Sequence, residues 1–198
     1  MKVIKSKIFG LILAGGYSRR MGQDKALLEF HGKPQIEYIY DLLQKYCGKV
    51  FLSKRADQGP YKGLACINDA PEFSDRGPLG GILSAMKEYP GTDWLVIACD
   101  LPFISEETIK TLLARRDRHK TATAYISAQD ALPEPLCAIW ESHAYGAILK
   151  LFNEGMHCPR KVLINSSTLL IKQNDPQWLV NINTPQEYEQ IKKAIVSL

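Results

Sequence analysis

Two apolar runs without polar alternation, Ile8-Phe9-Gly10-Leu11-Ile12-Leu13 and Trp94-Leu95-Val96-Ile97-Ala98-Cys99, set the strongest limit on what this chain can fold into. A strand with one wet face alternates apolar and polar residues, whereas a strand covered on both faces does not need to. Helical spacing recurs between and after these runs. Ile36, Ile39, Leu43 and Tyr46 repeat within 34–46, a second pattern runs from Leu79 to Tyr89 behind Gly77-Pro78, and Ile109, Leu112 and Leu113 follow Ser105 as N-cap. Further strands are predicted at 50–52, 64–67, 122–127, 136–140 and 169–172, and a helix at 143–153. A last helix opens on Thr184-Pro185-Gln186-Glu187, a capping box with proline at the first helical position, and carries Tyr188, Ile191 and Ile195 as its apolar stripe. Strands alternating with helices predict a single domain over 1–198, a three-layer α/β/α arrangement around a mostly parallel, Rossmann-like twisted sheet.

Composition narrows the partners rather than the fold. The net charge of +4 permits an anionic ligand but is far from a polybasic nucleic-acid surface, and no run of like charges suggests one. The five cysteines are scattered, without a C-x-x-C pair, so neither a disulfide framework nor a zinc site is expected. The apolar stretch after the N-terminal lysines is too short for a signal peptide, and no stretch could span a membrane; a reducing cytoplasm is the expected setting.

In a sheet of this kind ligands bind outside the carboxyl ends of the strands, near the point where strand order reverses. The loop after the first strand, Leu13-Ala14-Gly15-Gly16-Tyr17-Ser18-Arg19-Arg20-Met21-Gly22-Gln23-Asp24-Lys25, combines glycines with Arg19, Arg20 and Lys25. Glycines let backbone N–H groups approach a ligand, and the cations add full charges to the amide nest: this is the chemistry of a polyphosphate cradle. Its spacing is neither that of a P-loop nor that of a dinucleotide fingerprint. Asp100 follows the second apolar run and could hold Mg²⁺ against phosphate oxygens, or merely cap the turn into Pro102. Asp69 and the Gly77-Pro78-Leu79-Gly80-Gly81 stretch could each serve a nucleoside or simply make a turn.

These residues, taken together, resemble the nucleotide-binding signature of the molybdenum cofactor guanylyltransferases, within the nucleotidyltransferase group that includes the sugar-nucleotide pyrophosphorylases. The resemblance rests on Leu13-Ala14-Gly15-Gly16, Ser18, Arg20-Met21-Gly22, Asp24-Lys25, Gly77 to Ile82, Cys99 to Phe103, Pro135-Leu136 and Asn181-Ile182-Asn183-Thr184-Pro185, and so spans nearly the whole chain in order. It implies the nucleotide-diphospho-sugar transferase type of fold and transfer of GMP from GTP to the terminal phosphate of molybdenum–molybdopterin, with release of pyrophosphate and use of Mg²⁺. By position, Leu13, Ala14, Gly15 and Gly16 would contact the nucleotide through their backbone, and Arg20 and Lys25 would neutralise the triphosphate. Asp69 would bind on the nucleoside side, Pro78 and Leu79 would lie against the base, and Asp100 would hold the metal. Arg160, Asn181 and Asn183 would receive the pterin. Transient contacts with molybdoenzymes or other cofactor-biosynthesis proteins are implied as well.

This chemistry needs no strong general base, which suits four histidines (His31, His119, His143, His157) without paired spacing. Two departures stand out. Ser53 occupies a place where many guanylyltransferases carry asparagine, and a hydroxyl cannot offer an amide's paired donor and acceptor to a purine edge. Leu132-Pro133-Glu134-Pro135 is more acidic than an anionic pterin calls for, so Glu134 is expected to face solvent. A related transferase using CTP or another phosphorylated acceptor, and a non-catalytic cofactor-delivery protein, are the competing readings.

Overall fold

The computed structural model describes residues 8–15, 25–59, 61 and 63–196, with the side chains of Lys25 and Val196 outside that set. The two apolar runs become β1 (Phe9–Leu13) and β4 (Trp94–Ala98), adjacent and parallel in the middle of a seven-stranded sheet. The others are β2 (Val50–Lys54), β3 (Cys66–Asn68), β5 (Ala122–Ile126), β6 (Pro133–Trp140) and β7 (Thr168–Ile171), in the spatial order β3-β2-β1-β4-β6-β5-β7. Six strands run one way; β6 is antiparallel to both of its neighbours. The mostly parallel sheet follows from the sequence, but the direction of β6 does not, because apolar runs carry no sign of polarity.

Both faces are covered, as runs without alternation require. Ile12, Leu95, Ile97 and Ile139 point into one core with Ile36, Ile39 and Leu43 of α1 (Gln35–Gln44) and Ile109 and Leu112 of α3 (Glu106–Ala114). Leu11, Val96, Ala138 and Trp140 point into the other with Leu79 and Ile82 of α2 (Gly77–Glu88), Ile148 and Phe152 of α4 (Tyr145–Asn153), and Val162 and Leu163 of α5 (Pro159–Ile164). This is the three-layer arrangement expected. The Ser105 cap is present, its Oγ accepting from the Thr108 N–H at 3.3 Å.

Three elements differ from the sequence reading. Residues 142–144 form a separate 3-10 turn before α4, α5 was not foreseen, and β6 starts at Pro133 rather than at 136. The last is tolerated because β4 pairs only with 137–140, so the missing N–H groups of Pro133 and Pro135 face no strand on that side. The capping box opens α6 (Pro185–Val196): Glu187 N–H donates to Thr184 Oγ1 at 3.3 Å, and its carboxylate accepts from the Asn183 and Thr184 N–H groups. Tyr188, Ile191 and Ile195 then pack on a satellite core of Leu28, Phe30 and Ile182, tying α6 to the segment just beyond the glycine-rich loop.

Candidate active site

Strand order reverses between β1 and β4, since the chain proceeds outward from β1 through β2 to β3 and then returns to β4 on the other flank. Leu13, the last residue of β1, pairs with Ser53 of β2 and with Ala98 of β4. The ladder continues one residue further: Ala14 N–H donates to the Ser53 carbonyl at 3.0 Å, and Cys99 N–H to the Leu13 carbonyl at 3.2 Å. The glycine-rich loop and the Asp100 turn therefore leave the sheet side by side, at the crevice this topology offers a ligand. Leu13 and Ala14 are buried, so only their backbone can meet a nucleotide, while Gly15 is half-buried. Gly16, Arg20 and the side chain of Lys25 lie outside the described residues.

Asp100 is half-buried, and its Oδ1 is a buried oxygen. Its carbonyl accepts from the Ile182 N–H at 3.1 Å, a bond that brings the exposed Asn181 and Asn183, from the other end of the chain, to the same turn. The following loop is held by side chains of the 31–38 segment. Gln35 Nε2 donates to the Leu101 carbonyl at 2.8 Å and Tyr38 OH to the Ile104 carbonyl at 3.2 Å, while the His31 ring sits 2.9 Å from the Pro102 carbonyl. Gln35 and Tyr38 had no signal in the sequence beyond their helix, and the His31 ring stacks on Tyr38 with centroids 3.8 Å apart.

The donor set at Asp100 can be tested against a metal. Among the described residues no three His, Cys, Asp or Glu side chains gather into a cation cage. A carboxylate at a strand end, outside any such cage, suits a hard cation that takes one or two carboxylates and completes its shell with water and phosphate oxygens. It does not suit zinc, which needs nitrogen or sulfur ligands closing a tetrahedron.

On the opposite flank Asp69 follows β3, its N–H donating to the Lys54 carbonyl at 3.1 Å. Burial pushes its carboxyl up to about 6, against the pull of Arg55 and a hydrogen bond from Ser53. Ser53 is thus a buried support for Asp69, and it is pressed from the other side by α2: a Cβ on Gly81 would stand 2.3 Å from Ser53 Oγ. Gly80 is as tight, a Cβ there falling 2.3 Å from the Phe73 carbonyl oxygen. Of the two readings left open for these glycines, the packing one is visible: they let α2 approach β2 and the 71–73 turn. Pro78 is exposed, whereas Leu79 is fully buried, so it can touch a base only through its backbone.

An ionised Asp69 can only accept hydrogen bonds, which suits the donor groups of a nucleoside. Were Asp69 to contact a nucleoside, as the resemblance implies, nucleotide affinity would fall as pH drops through about 6, and in Asp69→Asn would be weaker above that pH and nearly flat across it; calorimetric titration between pH 5 and 8 checks this. For stability the sign reverses. A raised carboxyl favours the fold below its unfolded value and loses that advantage as pH climbs through about 6, so Asp69→Asn should melt higher than wild type at neutral pH.

Arg160, expected to receive the pterin, stands at the start of α5 and donates to Asp130 Oδ2 and Glu134 Oε1, both at 2.8 Å. This corrects the expectation for Glu134. Its side chain is 15% exposed and clasps Arg160 rather than facing water. Burial pushes the Glu134 carboxyl up, against the pull of the guanidinium.

The pattern of the MobA-like NTP transferase domain matches residues 10–169, the stretch that builds the sheet and both flanks of this crevice. The chain belongs to the MobA-like NTP transferase family. A molybdenum cofactor biosynthesis bifunctional protein of Synechocystis is 42% identical over 193 residues, covering 96% of this chain and 55% of that protein, so the chain spans about half of that relative's length. A Bacillus cereus protein named "Probable molybdenum cofactor guanylyltransferase" is 32% identical over 199 residues, covering 96% of this chain and 98% of its relative. Among solved structures, molybdopterin-guanine dinucleotide biosynthesis protein A from Archaeoglobus fulgidus superposes with a TM-score of 0.76 at 20% identity, over 96% of this chain and 100% of that one. That similarity shows the same fold. This MobA-like transferase thus has the architecture read from its apolar runs, and it is a nucleotidyltransferase.

Proposed function

We propose that this MobA-like transferase moves GMP from GTP to the terminal phosphate of molybdenum–molybdopterin, releasing pyrophosphate. The observation that carries the reading is the meeting, at the β1/β4 switch point, of three separate stretches of chain: the amides after Leu13, the carboxylate of Asp100 and the Asn181–Asn183 strap. The first suits a triphosphate, the second its metal, and the third lies where an acceptor would enter.

A phosphate oxygen of the acceptor attacks the α-phosphorus of GTP, and the bond from that phosphorus to the bridging oxygen of the β-phosphate breaks. The attacking oxygen is already anionic, so no side chain need remove a proton from it. The chain's work is to align the two anions and hold their charge. Backbone N–H groups of the loop beyond Ala14, whose own N–H is held by the Ser53 carbonyl, bind the phosphates, with Arg20 and Lys25 adding positive charge. Asp69 accepts from the nucleoside, and the backbone at Pro78 and Leu79 borders the base. Asp100 would hold Mg²⁺, which when bound draws electron density from the phosphate oxygens. Arg160, Asn181 and Asn183 orient the pterin, with Asp130 and Glu134 fixing the guanidinium between them. Among the described residues no helix is long and apolar enough to cross a membrane. Cytoplasmic work on two small anionic substrates, with transient contacts to molybdoenzymes, completes the proposal.

The test is incubation with Mg²⁺, molybdenum–molybdopterin and each of GTP, CTP, ATP and UTP in turn, following pyrophosphate and the dinucleotide formed. GTP alone should yield product, and should raise Tm as expected for a ligand that adds about 2.7 kcal/mol at a hundredfold excess over Kd. A product formed only from CTP, where Ser53 replaces the family's asparagine, would overturn the guanine assignment. Nucleotide binding without pyrophosphate release would point to a delivery protein.

A further inference from the structure

The segment after β2 reaches back over the nucleotide loop. Arg55 Nη1 donates to the Gly15 carbonyl at 2.6 Å, and Gln58 Nε2 donates to the Ala14 carbonyl at 3.1 Å. The two donors are themselves locked together: the Arg55 N–H donates to Gln58 Oε1 at 2.9 Å, Lys54 Nζ to the Gln58 carbonyl at 2.7 Å, and Arg55 Nε to Asp57 Oδ1 at 2.9 Å. Only 17% of the Arg55 side chain is exposed, which is low for a surface arginine.

A loop that presents amides to a polyphosphate must keep its carbonyls turned away, because each carbonyl dipole would otherwise repel the phosphate oxygens. Two adjacent carbonyls in the Ala14-Gly15 turn are held by donors from a single neighbouring segment. We infer that Arg55 and Gln58 are positioning residues of the nucleotide site, which hold the Ala14 and Gly15 carbonyls away from the triphosphate and so turn the Gly15 N–H toward it. The inference rests on the nucleotidyltransferase reading above and adds residues that neither the glycine motif nor the strand-end carboxylates include.

Arg55 has a second consequence. It lies close enough to Asp69 that its charge pulls that carboxyl down, partly offsetting burial. The guanidinium thus serves both sides of the nucleotide: it orients the phosphate loop by hydrogen bonding, and it favours the acceptor form of Asp69 by charge alone. The two effects are separable by chemistry, because lysine keeps the charge but not the fork of donors.

The experiment compares the full-length wild type with Arg55→Ala, Arg55→Lys and Gln58→Ala, measuring KM for GTP, kcat, Tm and the pH dependence of GTP affinity. Loss of a charge-assisted bond to the loop should raise KM about tenfold or more in Arg55→Ala, with a smaller rise in Gln58→Ala and kcat changing less than KM. The pH midpoint of binding should move upward in Arg55→Ala and stay near wild type in Arg55→Lys, although Arg55→Lys still shows the raised KM. A residue that merely stabilises the fold would lower Tm and leave both KM and the midpoint unmoved at permissive temperature; that result would overturn the inference. Should Arg55→Ala not fold, Gln58→Ala with wild-type KM would overturn it equally. Failure of the underlying reading is distinguishable, since the wild type would then bind no nucleoside triphosphate.

Discussion

Asp100→Ala is expected to abolish Mg²⁺-dependent pyrophosphate release, with kcat lowered by about three orders of magnitude, while the protein stays folded. The magnitude follows from what a correctly placed charge contributes to such a transfer, where a single lost contact to the developing charge already costs about two to three orders. Folding should survive because the backbone bonds that hold this turn are kept by alanine. The Asp100 carbonyl receives the Ile182 N–H, and the loop beyond is held through the carbonyls of Leu101 and Ile104, all of which alanine preserves. Single-turnover assays of pyrophosphate release, with Tm measured alongside, check it. Wild-type turnover in Asp100→Ala would remove the metal from this position.

Arg116→Met should cost about 3–5 kcal/mol of stability, the range seen when one partner leaves a buried ion pair. Arg116, just beyond α3, is 6% exposed and reaches Glu141, 2% exposed, through Nε at 2.7 Å and Nη2 at 2.6 Å, with Asp93 Oδ2 also 2.5 Å from Nη2. Methionine matches the length of the arginine stem but leaves two carboxylates facing each other without a counter-charge. Burial alone would raise the Asp93 carboxyl, but hydrogen bonds from Ser142 and Arg116 outweigh it and hold it below the usual carboxylate range. A depressed carboxyl contributes stability above its unfolded value and loses it as pH falls through the folded value. The stability gap between wild type and Arg116→Met should therefore narrow in acid. Urea melts at pH 7 and pH 4 measure both effects. Asp93 precedes β4 and Glu141 follows antiparallel β6, so the network lies at the edge of the sheet opposite Asp100, and residual activity below Tm should be near normal.

Much of the site was legible because its residues follow strands. Asp100 and the Leu13–Gly15 turn occupy places that a parallel sheet dictates, and Thr184-Pro185-Gln186-Glu187 announced a helix start, whereas Asn181 and Asn183 were singled out by the family resemblance. The short α5 escaped notice since six residues with two cations give little periodicity, although Val162 and Leu163 are fully buried. The start of β6 was hidden by its two prolines, which ordinarily argue against a strand and are admitted here only past the end of β4.

Local pattern was enough for most of what is local: which stretches form the longer strands and helices, where most of them start, and which residues stand at the strand ends. Only the folded chain decided which distant groups share a bond. Arg55 meets the Gly15 carbonyl across 40 residues of sequence, Gln35 the Leu101 carbonyl across 66, and Glu134 finds Arg160 instead of open solvent. Hydrogen bonds and ion pairs are short-ranged and directional. Which of them form therefore depends on the order and direction of strands, a property that no single segment encodes.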